Sequence, residues 1–167
     1  MVKRNAVIAA GLSAIIGFLV VSHVFYNEEA RVKRRFKKLS ERISKEAGET
    51  KLIAAATVNK ITRMIQETIQ IDIPSQSISK IFTRKELAAP IFHVRSQYLK
   101  MTLRFVDFVI DTSEEGTAVV HVTGNLTGKL LSGESVDETH ELHCLLKKNE
   151  KDEWIFSSIE IVEVLEK

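Results

Sequence analysis

The sequence predicts an α+β protein in which an N-terminal transmembrane helix precedes one domain of three helices packed on a curved, mainly antiparallel sheet. Three observations support this fold class. Residues 6–26 contain no formally charged side chain, apolar residues recur at helical spacing through much of 31–98, and four alternating segments with short turns follow Met101. Helices followed by a run of antiparallel strands are typical of an α+β layout.

Residues 6–26 are long enough to cross a bilayer. These 21 positions would form a helix of about 31 Å, and the hydrocarbon core of a membrane is ~30 Å thick. A cleaved signal sequence is the alternative, but the apolar run continues through Val24, Phe25 and Tyr26 without a small-x-small cleavage site. We therefore expect a tail (1–5), a single-pass anchor in the cell (inner) membrane (6–26), a junction (27–30) and a domain (31–167).

Basic residues are concentrated beside this anchor. Residues 27–48 carry eight bases and four acids, whereas residues 49–167 carry 14 bases and 18 acids. The acidic balance of the domain argues against nucleic-acid binding. The bases near the anchor favour a cytoplasmic domain by the positive-inside rule, and they form either a solvated helix face or a lipid-contacting face. The expected membrane-surface residues are Arg31, Lys33, Arg34, Arg35, Lys37 and Lys38.

Two helices are predicted in the first part of the domain. The first has an apolar stripe at i, i+4, i+7 and i+11, formed by Val32, Phe36, Leu39 and Ile43. Gly48 suits the left-handed residue that ends many helices, and Thr50 can cap the second helix. A second apolar stripe continues to about Gln66, so the two helices form a hairpin.

A short strand and a third helix follow. Isoleucines alternate with polar residues over Ile69–Ile73, which predicts a strand that Pro74 stops. The third helix covers Thr83–Tyr98, with its first residue and Glu86 as a capping box. Pro90 predicts a kink or a break inside it.

The last part of the chain predicts four strands joined by short hairpin connections. Such connections imply antiparallel neighbours in sequence order. The predicted strands are Thr102–Asp111, Thr117–Gly128, Val136–Lys148 and Trp154–Leu165.

These elements resemble the nuclear transport factor 2-like superfamily, which includes SnoaL-like and ketosteroid-isomerase-like proteins. The resemblance rests on the helix pair, the helix Arg84–Tyr98, the hairpin that begins Phe105-Val106-Asp107-Phe108, and the ending Asp152-Glu153-Trp154-Ile155-Phe156. It covers residues 31–167 and implies a cone-shaped domain with a pocket between the concave sheet face and the helices. It is less specific for activity, because one fold hosts many functions.

A membrane helix followed by this fold is similar in layout to the bitopic inner-membrane component of type IV secretion systems, whose domain lies in the periplasm. Set against the positive-inside rule, this similarity leaves the side of the membrane open, with a slight preference for the extracytoplasmic side.

The implied pocket would be apolar. Pairing Val120 with Cys144 and Leu146 with Trp154 matches apolar positions on neighbouring strands. A small apolar ligand would then contact Val120, Val122, Leu142, Cys144, Trp154 and Phe156.

Four polar residues are catalytic candidates. The same register places His140 opposite Glu160, a pair that could transfer a proton, although an exposed ion pair at a sheet margin is the commoner reason for such a pair. The resemblance places Asp107 and Tyr98 near the pocket but assigns neither of them a role.

We expect no metal and no cofactor. His140 and His143 form an H-x-x-H, but on a strand these side chains face opposite sides. Cys144 is the only cysteine, so one chain can form neither a disulfide nor a thiolate metal site.

The outer sheet face predicts an interface, either of a homodimer or with another membrane or envelope protein. Its predicted residues are Val119, Leu145, Ile155, Ile159 and Ile161. Together these patterns favour a membrane-anchored, non-enzymatic interaction or scaffold module that associates through its sheet. The alternative is a small-molecule-binding or isomerase-like enzyme that uses the cone pocket.

Overall fold

The computed structural model describes residues 27–164, which form three helices and six strands around one core. Helix α1 covers residues 27–43. Helix α2 covers Lys51–Thr62 and helix α3 covers Arg84–Gln97. The strands are β1 (Ile65–Ile73), β2 (Ile78–Thr83), β3 (Tyr98–Thr112), β4 (Thr117–Leu130), β5 (Ser135–Lys148) and β6 (Trp154–Val164). The predicted anchor 6–26 lies outside the described residues, and no helix within 27–164 is long and apolar enough to cross a membrane.

The sheet has the order β2-β1-β6-β5-β4-β3. β1 runs parallel to β6, and the other neighbouring pairs are antiparallel. The four C-terminal strands and β1 confirm the sequence prediction. Strand β2 was not predicted, because five of its six residues are exposed and so show no alternation of burial.

The helices follow the predicted caps. The Thr50 side chain accepts a hydrogen bond from the Ile53 amide, and Thr83 forms a capping box with Glu86. Helix α2 ends four residues before the predicted Gln66, since β1 already begins at Ile65. Helix α3 is not broken at Pro90, because buried residues on both sides of the proline hold the helix against the domain.

The apolar stripe of α1 fills the concave side of the sheet. Val32 is 0 % exposed, Phe36 1 % and Leu39 8 %, and all three belong to the main core cluster. The Phe36 ring meets Phe105, Phe108 and Phe156 edge to face, at centroid distances of 5.1, 5.3 and 5.1 Å. These geometries are the favourable ones for aromatic pairs.

A bulge in β3 allows two of these phenylalanines to face the same side. The register with β4 shifts between Val106 and Val109, and Asp107 lies in the left-handed region with φ of 54°. The bulge therefore points Phe105 and Phe108 both into the core, although they are three positions apart.

The register of β6 differs from the predicted one. Val120 pairs with Cys144 as predicted, but Leu146 pairs with Phe156 rather than with Trp154. The register also shifts at two bulges, between Leu145 and Leu146 and between Glu141 and Leu142, and the first of them reverses the faces of the β6 residues that follow Phe156.

Candidate functional site

The four polar candidates do not converge on one site. His140 lies opposite Val164 and is 3.1 Å from the Glu138 carboxylate, while Glu160 lies opposite His143, with 3.5 Å between Nδ1 and Oε2. The predicted contact of His140 with Glu160 is wrong because the hairpin register differs by two positions from the predicted one and the bulge after Phe156 adds a third. Sequence alternation reveals neither change.

Tyr98 and Asp107 lie at separate places on β3. Tyr98 is 8 % exposed at the start of the strand, and burial raises the pKa of its phenol. Its ring packs so closely on Gly128 that a Cβ there would lie 2.9 Å from it. Asp107 is exposed at the bulge. A catalytic role for any of the four residues stays a prediction.

The six predicted pocket residues lie on the concave face but belong to a filled core. Val120, Val122, Cys144, Trp154 and Phe156 are each at most 4 % exposed, and Leu142 packs against them. Burial raises the pKa of the Cys144 thiol to about 12. In the described domain, α1 occupies the space in which a ligand was predicted.

The predicted interface set divides between the two faces of the sheet. Val119 is 42 % exposed and pairs with Leu145 on the outer face. Ile159 and Ile161 instead pair with Cys144 and Leu142, so the prediction that they face outward is wrong. Ile155 is 7 % exposed. The outer face also carries Val109, His121 and His143, and the two imidazole rings lie 4.1 Å apart.

The basic face of α1 divides in the same way. Lys33, Arg34, Lys37 and Lys38 are exposed, whereas two other bases contact the domain. Arg31 pairs with Glu28 and Asp152 at 2.7 and 2.8 Å. Arg35 is half-buried, and burial lowers the pKa of its guanidinium.

An open groove lies between α2 and α3 and encloses about 650 Å³. Most of the wall surface is apolar, and five of the ten lining residues are apolar, three of them alanines. Its three bases lie toward one end. The lining residues are Ala55, Val58, Asn59, Thr62, Arg63, Arg84, Lys85, Ala88, Ala89 and Phe92. Volumes of 300–1,000 Å³ with mostly apolar walls are typical of ligand pockets.

The basic end of the groove consists of the residue that caps the C-terminus of α2 and the first turn of α3. Arg63 follows the C-terminus of α2, and Arg84 and Lys85 begin α3. The Arg84 Nε donates to the carbonyl oxygens of Ile65 and Gln66 at 2.8 and 3.1 Å. These bonds fix the guanidinium at the mouth of the groove.

This groove was not predicted. Its sequence signal is the small residues Ala54–Ala56 and Ala88–Ala89, which are equally typical of ordinary helices. Only the packing of α2 on α3 places these residues on opposite walls.

A buried ion pair, which was also not predicted, joins α3 to the loop between α1 and α2. Arg95 is 3 % exposed and contacts both Glu49 carboxylate oxygens, at 2.9 and 2.7 Å. Its terminal nitrogens also donate to the carbonyl oxygens of Arg42, Ile43 and Ser44. Arg95 therefore satisfies carbonyl groups at the C-terminus of α1.

Comparisons with known proteins show similarity at the level of the fold. No sequence family and no curated protein matches the chain. A protein from Novosphingobium aromaticivorans, described as a proposed scytalone dehydratase, aligns with a TM-score of 0.65 at 12 % identity, over 85 % of this chain and 89 % of its own. ActVI-ORFA from Streptomyces coelicolor gives 0.63 at 8 % identity, over 81 % and 96 %.

A third similar structure is described as a proposed dehydratase of the NTF2-like family from Streptomyces avermitilis. It aligns with a TM-score of 0.62 at 11 % identity, over 84 % of this chain and 98 % of its own. Because these identities are low, the similarity shows the fold alone. Residues 27–164 have the α+β cone fold of nuclear transport factor 2-like proteins.

Proposed function

We propose that this protein is a membrane-anchored, non-catalytic binding module. The observation that carries the proposal is the filled cone: Phe36 occupies the concave side of the sheet and contacts three other phenylalanines. Enzymes that use this fold's interior need an open cavity with converging polar groups. Here His140 and Glu160 contact other partners.

The connection to the proposed anchor supports this function. Helix α1 follows the apolar segment 6–26 directly, and its first turn is fixed to the end of the sheet. The Glu28 carboxylate accepts from Trp154 Nε1 at 2.9 Å and pairs with Lys148 Nζ at 3.1 Å. Burial opposes ionisation of Glu28, but bonds from Lys148, Arg31 and Trp154 outweigh it and lower its pKa. A membrane helix continuous with α1 would therefore hold the domain in a fixed orientation.

Two surfaces are available for partners in this proposal. The exposed bases of α1 begin close to the membrane end of that helix, and each base next to an anionic surface contributes about 1 kcal/mol. The outer sheet face around Val119 and Leu145 takes a second copy or another membrane or envelope protein. In this proposal the domain lies on the extracytoplasmic side of the membrane.

The second candidate is a small-molecule-binding or isomerase-like enzyme that uses the cone interior. The similar solved structures described as dehydratases favour it. It requires Phe36 to leave the concave face so that a ligand can enter.

Alkaline carbonate extraction of cells that express the full chain tests the anchor. We expect the protein to stay in the membrane pellet and a variant lacking residues 6–26 to move to the supernatant. A reporter fused to the C-terminus assigns the side of the membrane. Extraction of the full chain by carbonate would contradict the proposal.

A further inference from the structure

We propose that the groove between α2 and α3 binds one acyl chain of an anionic phospholipid from the membrane in which the protein is anchored. The bases Arg63, Arg84 and Lys85 would hold the lipid phosphate. This inference rests on the proposed function, because the anchor keeps the groove beside the bilayer.

The walls of the groove fit a hydrocarbon chain. Val58 forms part of its floor, and Ala55, Ala88 and Ala89 leave space that larger side chains would fill. Phe92 also lines a second depression of about 260 Å³. The lining of this depression includes Leu99 and Leu131, which are 41 % and 67 % exposed, together with the charged residues Lys45, Glu49, Lys51 and Arg95.

Charge complementarity selects an anionic headgroup. Arg84 and Lys85 occupy the first turn of α3, where the helix macrodipole already adds positive potential. The acid of that turn, Glu86, is engaged by the Thr83 amide at 2.7 Å. Within residues 27–164 the terminal nitrogens of Arg84 donate to no protein atom. They are therefore positioned to bind phosphate.

The basic end of the groove lies at the end of the domain where α1 begins. Arg63 and Arg84 also line a neighbouring depression of about 690 Å³. Its other charged lining residues are Lys148, Lys151, Glu67, Glu150 and Glu153. Lys148 contacts Glu28 in the first turn of α1. The basic end of the groove is therefore close to the surrounding lipid leaflet. In this proposal the lipid phosphate binds at that end, and one acyl chain extends along the groove away from the membrane.

Residues 1–26 complement the groove less well. They carry Lys3 and Arg4 and no acid, so they would add positive charge to the basic end of the groove. A lipid supplies both the apolar chain and the negative charge.

The test reconstitutes the full chain in phosphatidylcholine vesicles that contain a phosphatidylglycerol with a diazirine in one acyl chain. A parallel sample carries the same diazirine on phosphatidylcholine. After illumination, mass spectrometry maps the labelled peptides. Labelling of residues 6–26 by either probe reports the anchor itself, and labelling of α2 and α3 reports the groove.

Two sets of variants separate binding from folding. Ala89→Trp and Ala55→Phe fill the groove, and Ala56→Trp is the matched control on an exposed alanine outside it. Arg63→Gln combined with Lys85→Gln removes two bases, and Lys60→Gln combined with Lys129→Gln is the matched charge control on exposed positions. A thermal melt of each variant checks that it folds.

We expect the phosphatidylglycerol probe to label α2 and α3 at least fivefold more than the phosphatidylcholine probe does. Each groove-filling variant and the Arg63 and Lys85 double variant should lower this labelling at least fivefold, and neither control should change it. Equal labelling by both probes, or labelling that survives both groove-filling variants, would overturn the inference. Absence of label in residues 6–26 would instead contradict the proposed anchor.

Discussion

The interior of the cone and the groove between α2 and α3 are both apolar, yet only the groove is open. Phe36 projects from α1 into the concave side of the sheet and is 1 % exposed there. The facing walls of the groove carry Ala55, Ala88 and Ala89, which leave about 650 Å³. The size of the side chains between two layers decides which space a ligand can enter.

The largest effect should come from emptying the cone. Phe36→Ala removes the ring at the centre of the aromatic cluster and should lower the free energy of unfolding by about 3–5 kcal/mol. Urea denaturation measures this loss. Phe92→Ala, at the half-buried side chain in the groove, is the control and should cost less than half as much. Equal costs would show that the two regions do not differ in packing.

Loss of the buried ion pair between Arg95 and Glu49 should have the next largest effect on stability. Arg95→Leu leaves the Glu49 carboxylate and the carbonyl groups of Arg42 and Ile43 without their buried partner. We expect a loss of about 3 kcal/mol, measured by the same denaturation. A loss below about 1 kcal/mol would show that α3 does not depend on this contact.

Thiol reactivity compares the two regions directly. Cys144 lies on the concave face, where burial raises its pKa to about 12, so little thiolate exists at pH 8. A cysteine introduced by Ala89→Cys lies in the open groove. In the folded protein it should react with Ellman's reagent at least about 100-fold faster than Cys144. Similar rates would indicate that the cone interior opens readily.

The smallest effect concerns the contact of α1 with the sheet. Since the pKa of Glu28 is lowered in the folded protein, its contribution is present at neutral pH and is lost as the pH falls below its unfolded value of about 4.5. Glu28→Gln should cost about 1 kcal/mol at pH 7 and less at pH 3. Denaturation midpoints at both pH values measure the difference, and a cost that rises on acidification would contradict this sign.

The sequence predicted most of the elements because their signals are local. The capping box of Thr83 and Glu86 and the stripe of Val32 and Phe36 each depend on spacing within one element. Strand β2 was not predicted because Ile78 and Ile81 are exposed, so the strand lacks the alternation of buried and exposed residues that identifies a strand.

The arrangement of the candidate site depended on features that sequence spacing does not encode. The β5–β6 hairpin pairs Leu146 with Phe156 rather than with Trp154, a difference of two positions from the predicted register. The extra residue Ser157 adds a third position, so Glu160 lies opposite His143 and Ile159 faces inward. The groove requires α2 and α3 to meet, although their alanines are more than 30 positions apart. The residues of the concave sheet face could therefore be predicted from the sequence, but not that Phe36 fills the space in front of them.

Alanine methyl NMR of the full chain in nanodiscs, with a spin label on the acyl chain of phosphatidylglycerol, tests most directly where a ligand binds. Ala88 and Ala89 line the groove, and Ala118 is 0 % exposed on the concave face. We expect strong broadening of the Ala88 and Ala89 methyl signals and none of the Ala118 signal. Broadening of Ala118 that equals or exceeds that of Ala88 would contradict binding in the groove.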